Sequence, residues 1–154
     1  MRGSFHQFVL LSGPPRAWDA KSSALSGLAG ELELPDDCLR YMYDSLLWIP
    51  SLNPCKALSP QTGLNLYGQT VITLSGAGIG RRIFRAWAEL FRCGPEILQL
   101  TGDYEWSEDE PQMGEYQRLR LRRDEIAAVI EGLAGYCQRV EESDDREFIL
   151  HLGI

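Results

Sequence analysis

Long apolar runs and lysine are both scarce in this sequence. No stretch approaches the roughly 20 apolar residues that a transmembrane helix requires, and the start of the chain lacks the basic and apolar regions of a signal peptide. Only two of the 15 basic residues are lysine, and 22 acidic residues make the net charge −7. Because nucleic acids and anionic membranes bind proteins through basic side chains, we expect neither as a partner.

The spacing of cysteine and histidine that marks a metal centre is also missing. The four cysteines form no CxxC pair, and neither histidine lies within ligand spacing of two of them. We therefore predict no metal ion and no cofactor, and we expect reduced thiols in a cytoplasmic protein. Cys38, Cys93 and Cys137 fall on apolar helical faces, where a free cysteine acts as a small buried hydrophobe.

Composition and length favour one ordinary globular domain. The 154 residues are 44% hydrophobic and 24% charged, with no internal repeat and no low-complexity linker. Strand-like and helix-like patterns both occur, and we predict a single α+β domain over residues 1–154. Its sheet is expected to be antiparallel or mixed, with helices on one face.

Periodicity and turn residues predict the order of elements. The first 50 residues predict a strand at 5–12 and helices at 19–33 and 36–48, and residues 50–63 read as a loop. Residues 64–152 predict a βαββαβ unit in the ferredoxin-like order. Its elements are strands at 64–74, 96–106, 115–122 and 148–152, with helices at 77–92 and 124–141 and a bulge at Gly102.

An acidic segment with interleaved aromatic residues is the main candidate binding surface. Five of the eight residues 103–110 are acidic, but they do not follow the calcium-loop pattern. Carboxylates steer a basic partner and aromatic rings supply contact area, although a solvated loop would have the same composition. The predicted partner-binding residues are Asp103, Tyr104, Glu105, Trp106, Glu108, Asp109 and Glu110.

A glycine-rich stretch between a predicted strand and helix is the alternative site. A dinucleotide fingerprint reads G-x-G-x-x-G, and here the third glycine comes one position early. Exposed amides at a helix start still bind anions, so a phosphate or nucleotide site remains the alternative. Its residues are Gly76, Gly78, Gly80, Arg81 and Arg82.

The two histidines lie on predicted strands, where they could be neighbours in the sheet. Without a nearby carboxylate cluster, His6 and His151 are better explained as structural residues than as catalysts, and we predict no catalytic residue.

The sequence also contains a row of arginines on one predicted strand and a segment that could line a groove. Alternation places three arginines on one face of a strand, where we expect cross-strand ion pairs with carboxylates; these are Arg118, Arg120 and Arg122, followed by Arg123. The segment 48–67 could line a groove between the N-terminal helices and the sheet, through Trp48, Asn53, Asn65 and Tyr67.

Acidic charge, one α+β domain, no catalytic motif and the segment 103–110 together give the chain a recognisable character. In these respects it resembles the cytosolic immunity proteins that accompany bacterial toxins and secreted effectors. The resemblance implies a cytosolic protein that neutralises a toxin by tight stoichiometric binding, and a nuclease with a basic groove would fit best. A small-molecule site at the glycine stretch, and a scaffold or homo-oligomer, remain the alternatives.

Overall fold

The computed structural model describes residues 3–19 and 27–154. Six strands form one antiparallel sheet in the order β2-β1-β8-β5-β3-β4. They are β1 (Phe5–Ser12), β2 (Glu31–Pro35), β3 (Pro50–Asn53), β4 (Ser59–Thr62), β5 (Gln69–Ile72) and β8 (Glu147–Leu152). Two further strands, β6 (Ile97–Trp106) and β7 (Gly114–Arg122), form a separate two-stranded sheet.

The central strands bury side chains on both faces because their sequences are apolar almost throughout. Successive residues of a strand point to opposite faces. Phe8, Leu10 and Ile149 thus lie in the main core, whereas Val9 and Leu150 lie in a smaller cluster on the other face.

The four α-helices in the described part of the chain all contribute side chains to the main core on one face of this sheet. Two short helices, α1 (Asp36–Tyr41) and α2 (Tyr43–Leu46), meet at Met42 and precede the long helices α3 (Leu74–Arg92) and α4 (Arg123–Glu142). Glycine lets the long helices approach their neighbours closely. A Cβ at Gly76 would overlap the Pro50 carbonyl, and one at Gly80 would lie 3.1 Å from the sulfur of Cys137.

The α+β class and the antiparallel sheet with helices agree with prediction, and the βαββαβ order of residues 64–152 is observed. The assembly of that unit differs from a ferredoxin-like sheet. β5 and β8 pair within the main sheet, but β6 and β7 pair with each other alone.

Two predictions for the first third of the chain are wrong. The helix at 19–33 is not formed in its described C-terminal part, where Glu31–Pro35 is strand β2; residues 20–26 lie outside the described residues. The loop at 50–63 contains a hairpin of β3 and β4, closed by a 3-10 turn at Pro54–Lys56. Ala57 and Leu58 both take left-handed backbone conformations there, which sequence patterns rarely reveal for such residues.

Two other elements have different bounds from those expected. The helix predicted at 36–48 is divided into α1 and α2, and the strand predicted at 64–74 is confined to Gln69–Ile72. Cys93 is exposed rather than buried, whereas Cys38 and Cys137 are buried as predicted.

Candidate functional site

Three exposed aromatic rings form a cluster near the end of the β6–β7 hairpin. The ring centroid of Tyr104 lies 5.0 Å from those of Trp106 and Tyr116, both in edge-on geometry. The exposed fractions are 40% for Tyr104, 67% for Trp106 and 60% for Tyr116. Edge-to-face packing is a favourable arrangement of aromatic rings, so the cluster is ordered while its outer surface stays in solvent.

A bulge in β6 places the rings on one face. Thr101 pairs with Arg118, but the next regular pair is Tyr104 with Tyr116, so β6 contains one residue more than β7 at this point. A regular ladder of the same sequence would instead place Tyr104 opposite Glu115, on the face away from Tyr116, because β-bulges re-aim the side chains that follow them. The bulge that was expected at Gly102 is therefore what assembles the cluster.

The two halves of the hairpin have different environments. Leu98 and Leu119 are buried, and their neighbours Leu100 and Leu121 pack against the main core. Beyond the bulge, most side chains are exposed. We call residues 103–117 the hairpin tip.

The hairpin tip holds nearly all the net charge of the chain. It contains six of the 22 acidic residues and none of the 15 basic residues, so all but one of the seven net negative charges lie in it. Glu105 lies directly opposite Glu115, and the Gln117 amide donates a hydrogen bond to Glu105. Like charges at directly opposite positions repel, so this surface gains by binding cationic groups.

The seven predicted partner-binding residues all fall in the hairpin tip, but they are not equivalent. Asp103 belongs to the bulge and lines a groove shared with α1, while Tyr104 and Trp106 form the ring cluster. Glu108, Asp109 and Glu110 lie in the connecting loop. The prediction did not include Tyr116, whose position opposite Tyr104 depends on strand register.

The arginine row continues from the aromatic cluster along the same face. Arg118, Arg120 and Arg122 lie opposite Thr101, Gln99 and Ile97, none of which is acidic. The expected cross-strand ion pairs are therefore wrong. Arg122 instead pairs with Glu125 at 3.1 Å, and in the part of the chain that the structure describes no ion pair involves Arg118 or Arg120.

The glycines of the alternative anion site lie inside a helix rather than in a turn. α3 begins at Leu74, so Gly76, Gly78 and Gly80 belong to its first turns. The amide of Gly76 donates to the Thr73 carbonyl at 3.0 Å. Arg81 donates to Glu141 at 2.6 Å, and Arg82 follows on the helix. This geometry offers no loop of free amides, and anion binding there remains an untested prediction.

The two histidines form a buried pair between β1 and β8. Nδ1 of His6 lies 2.8 Å from Nε2 of His151, and both side chains are 0% exposed. On its other side, His6 Nε2 lies 2.8 Å from Asp36, whose second oxygen accepts from Arg40 at 2.8 Å. His151 Nδ1 lies 3.4 Å from the Thr70 hydroxyl. The sequence suggested that the histidines could be neighbours, whereas the carboxylate partner was not foreseen.

Burial and charge act in opposite directions in this network. Burial, followed by the charge of His6, lowers the pKa of His151 to about 3. Burial alone would raise the pKa of Asp36, but hydrogen bonds from Arg40 and His6 outweigh it, and the pKa falls below its usual value. The network thus holds an ionised carboxylate on one side and, at His151, an imidazole whose charged form is disfavoured.

A groove does form along the segment 48–67, with three of its four predicted residues. Asn53, Asn65 and Tyr67 line it, whereas Trp48 lies elsewhere and is 67% exposed. Tyr67 accepts a hydrogen bond from Arg40 at 2.8 Å, which connects the groove to the histidine network.

The described residues contain neither a metal-binding cluster nor a membrane-spanning helix. Among the described residues, no cluster of three or more His, Cys, Asp or Glu side chains could hold a metal ion. Within residues 3–19 and 27–154, no helix is long and apolar enough to cross a membrane. No protein-family model, curated protein or solved structure matches this chain.

Proposed function

We propose that this chain is a stoichiometric binding protein whose hairpin tip recognises a basic protein. The finer proposal is that the partner is a toxin or secreted effector, which the chain neutralises in the manner of an immunity protein. The exposed cluster of Tyr104, Trp106 and Tyr116 supports the proposal most directly.

An aromatic cluster of this kind is suited to the centre of an interface. Aromatic anchors supply a large share of binding energy because they bury much area and lose little conformational entropy. Trp106 and Tyr116 both contact Tyr104, so the rings are positioned before a partner arrives. Preorganisation reduces the entropy cost of association.

The charge of the hairpin tip supports a basic partner. The hairpin tip carries six carboxylates and no basic residue. Such a concentration of charge speeds association with a cationic surface and disfavours anionic ones. A toxin that acts on nucleic acid has a basic substrate groove, and a protein that occupies the groove would block it.

The experiment is calorimetry with the purified product of the neighbouring gene in the native host, as the candidate toxin. A 1:1 complex is expected, and Trp106→Ala should weaken it at least about tenfold, the effect of an interface hot spot. Trp48→Ala is the matched control, because Trp48 is equally exposed but lies outside the hairpin.

The charge contribution can be separated from that of the rings. Replacing Glu108, Asp109 and Glu110 by Gln, Asn and Gln should slow association and reduce its salt dependence, with a smaller effect on dissociation. If Trp48→Ala and Trp106→Ala reduce the affinity equally, the interface is not at the hairpin tip. Catalytic conversion of a small molecule by the chain alone, without a protein partner, would contradict the proposed function.

A further inference from the structure

We infer that the buried His6–His151 pair is an acid-sensitive latch. It holds α1 to β1, and it holds the segment 65–70, which leads into β5, to β8, while the pair carries at most one added proton; it opens when a second proton binds. The inference concerns a part of the molecule away from the hairpin tip and does not depend on the proposed function.

The hydrogen bonds of the neutral pair have one consistent direction. A carboxylate only accepts, so His6 Nε2 must donate to Asp36. His6 Nδ1 is then an acceptor, and it receives the Nε2 hydrogen of His151. This leaves His151 Nδ1 to accept from the Thr70 hydroxyl, whose oxygen accepts the Asn65 amide at 2.7 Å. In this row of hydrogen bonds from Asp36 to Asn65, each donor thus meets an acceptor.

The pair can accept one added proton if two hydrogen bonds, His6–His151 and His151–Thr70, reverse their direction. The hydrogen on His151 Nε2 moves to His6 Nδ1, and the added proton binds His151 Nδ1. His6 becomes an imidazolium beside the ionised Asp36, and it donates to His151, which donates to Thr70. The same pairs of atoms stay bonded, and the Thr70 oxygen accepts from both His151 and Asn65.

No arrangement of these hydrogen bonds can hold a second added proton while the two rings stay in contact. His6 Nδ1 and His151 Nε2 would both carry hydrogen although they lie 2.8 Å apart. Two cationic rings would also stack with their centroids 5.1 Å apart, away from water. Desolvation and like charge both oppose this state, in accord with the lowered pKa of His151. The pair must separate for the second proton to bind.

Separation would release a defined set of elements. His6 and Asp36 connect β1 to α1, while His151 and Thr70 connect β8 to β5. Among the described residues, the charged or titratable groups bonded to the pair are Asp36 and, through Asp36, Arg40 from α1; Arg40 in turn reaches Tyr67 in the groove. β2 and β1 present the apolar residues Leu34 and Phe8.

The sign of the pH effect follows from the lowered pKa of His151. Its usual value is 6.5 and its value in the folded protein is about 3. The open state therefore binds a proton that the closed state refuses between these values, and opening becomes more favourable as the pH falls below 6.5. Each pH unit should raise the open population about tenfold. Asp36 stays ionised over the upper part of this range because its pKa lies below 3.8.

The test is NMR and amide hydrogen exchange on the full chain between pH 7 and about 4.5. Imidazole nitrogen shifts at pH 7 should show a hydrogen on Nε2 in each ring, or His6 charged with a hydrogen on Nδ1 of His151. Exchange in α1 and residues 65–70, corrected for intrinsic rates, should rise about tenfold per pH unit. Amides of α3 and α4 serve as the internal control and should not show this slope.

Two results would overturn the inference. One is His151 titrating near 6.5 with unchanged exchange in α1 and residues 65–70; the other is an equal slope in α3 and α4, which indicates global unfolding. The variant His151→Gln retains an amide that can donate to His6 but cannot take up the proton, and it should lose the pH slope. If this variant does not fold, the wild-type measurements decide the question alone.

Discussion

Tyr104 lies directly opposite Tyr116 across the β6–β7 hairpin, with ring centroids 5.0 Å apart and planes 74° apart. A bulge between Thr101 and Tyr104 accommodates one extra residue in β6, and a regular ladder of the same sequence would place Tyr104 opposite Glu115 instead. An irregularity of one residue thereby determines which side chains share the candidate binding face.

Deleting Asp103 should leave the aromatic cluster intact. The deletion removes the extra residue, so a regular ladder from Thr101 and Arg118 again brings Tyr104 opposite Tyr116. Deleting Glu105 is the control, because it should turn Trp106 to the opposite face by strand alternation. Contacts between the rings can be followed by nuclear Overhauser effects. Their loss on deletion of Asp103, or their full retention without Glu105, would disprove this register.

Gly76→Ala should destabilise the protein by about 1–3 kcal/mol, because overpacking forces backbone shifts. The new Cβ would overlap the Pro50 carbonyl oxygen, which a flexible side chain cannot relieve. Gly135→Ala in α4 is the matched control: no atom lies within 4 Å of the added Cβ, and Ala should stabilise the helix by about 0.5–1 kcal/mol. Urea unfolding measures both, and similar effects of the two changes would contradict the packing of α3 on β3.

The four cysteines should divide into two reactive and two protected thiols. Cys55 and Cys93 are exposed, whereas Cys38 and Cys137 are buried. Burial raises the pKa of each buried thiol to about 12, and the charges of Asp37 and Glu141 add to the effect at Cys38 and Cys137 respectively. Because the thiolate is the reactive form, maleimide should label two cysteines in the native protein and four after denaturation. Rapid native labelling of Cys38 or Cys137 would be inconsistent with the core described above.

Inorganic phosphate and ATP should leave the melting temperature unchanged. Arg81 already pairs with Glu141, and both side chains are about 30% exposed. Arg81→Ala should cost no more than about 1 kcal/mol, as expected for a partly exposed ion pair. Arg82→Ala, at the neighbouring position, provides a comparison without that pair. A concentration-dependent rise in the melting temperature that Arg81→Ala abolishes would restore the glycine stretch as an anion site.

Much of the helical part of the fold was predictable because apolar spacing is a local property. α3 and α4 begin and end within a few residues of their predicted bounds. β2 was missed because Leu28 and Leu32 also lie at helical spacing, and the short alternation of residues 31–35 competes with that pattern. The β3–β4 hairpin was missed because its turn requires left-handed Ala57 and Leu58 rather than glycine.

The candidate site was predictable in composition but not in geometry. Tyr104, Trp106 and the acidic residues were identified from residues 103–110 alone, and the concentration of charge needs no coordinates. Tyr116 was not identified, because the sequence does not reveal the register in which β6 and β7 pair. The same limit explains the arginine row: its side chains are exposed, but the acidic residues expected opposite them are not there.

Local chemistry thus specifies where the long helices and most strands lie, how the charge is distributed along the chain, and that both histidines lie on strands. These follow from side-chain period, turn residues and composition, which act over a few neighbouring residues. The tertiary structure alone decides that β6 and β7 stand apart from the main sheet, that Tyr104 meets Tyr116, and that His6 meets His151 across 145 positions of sequence. Strand partners and registers are chosen by the packing of the whole core, and no local pattern encodes that competition.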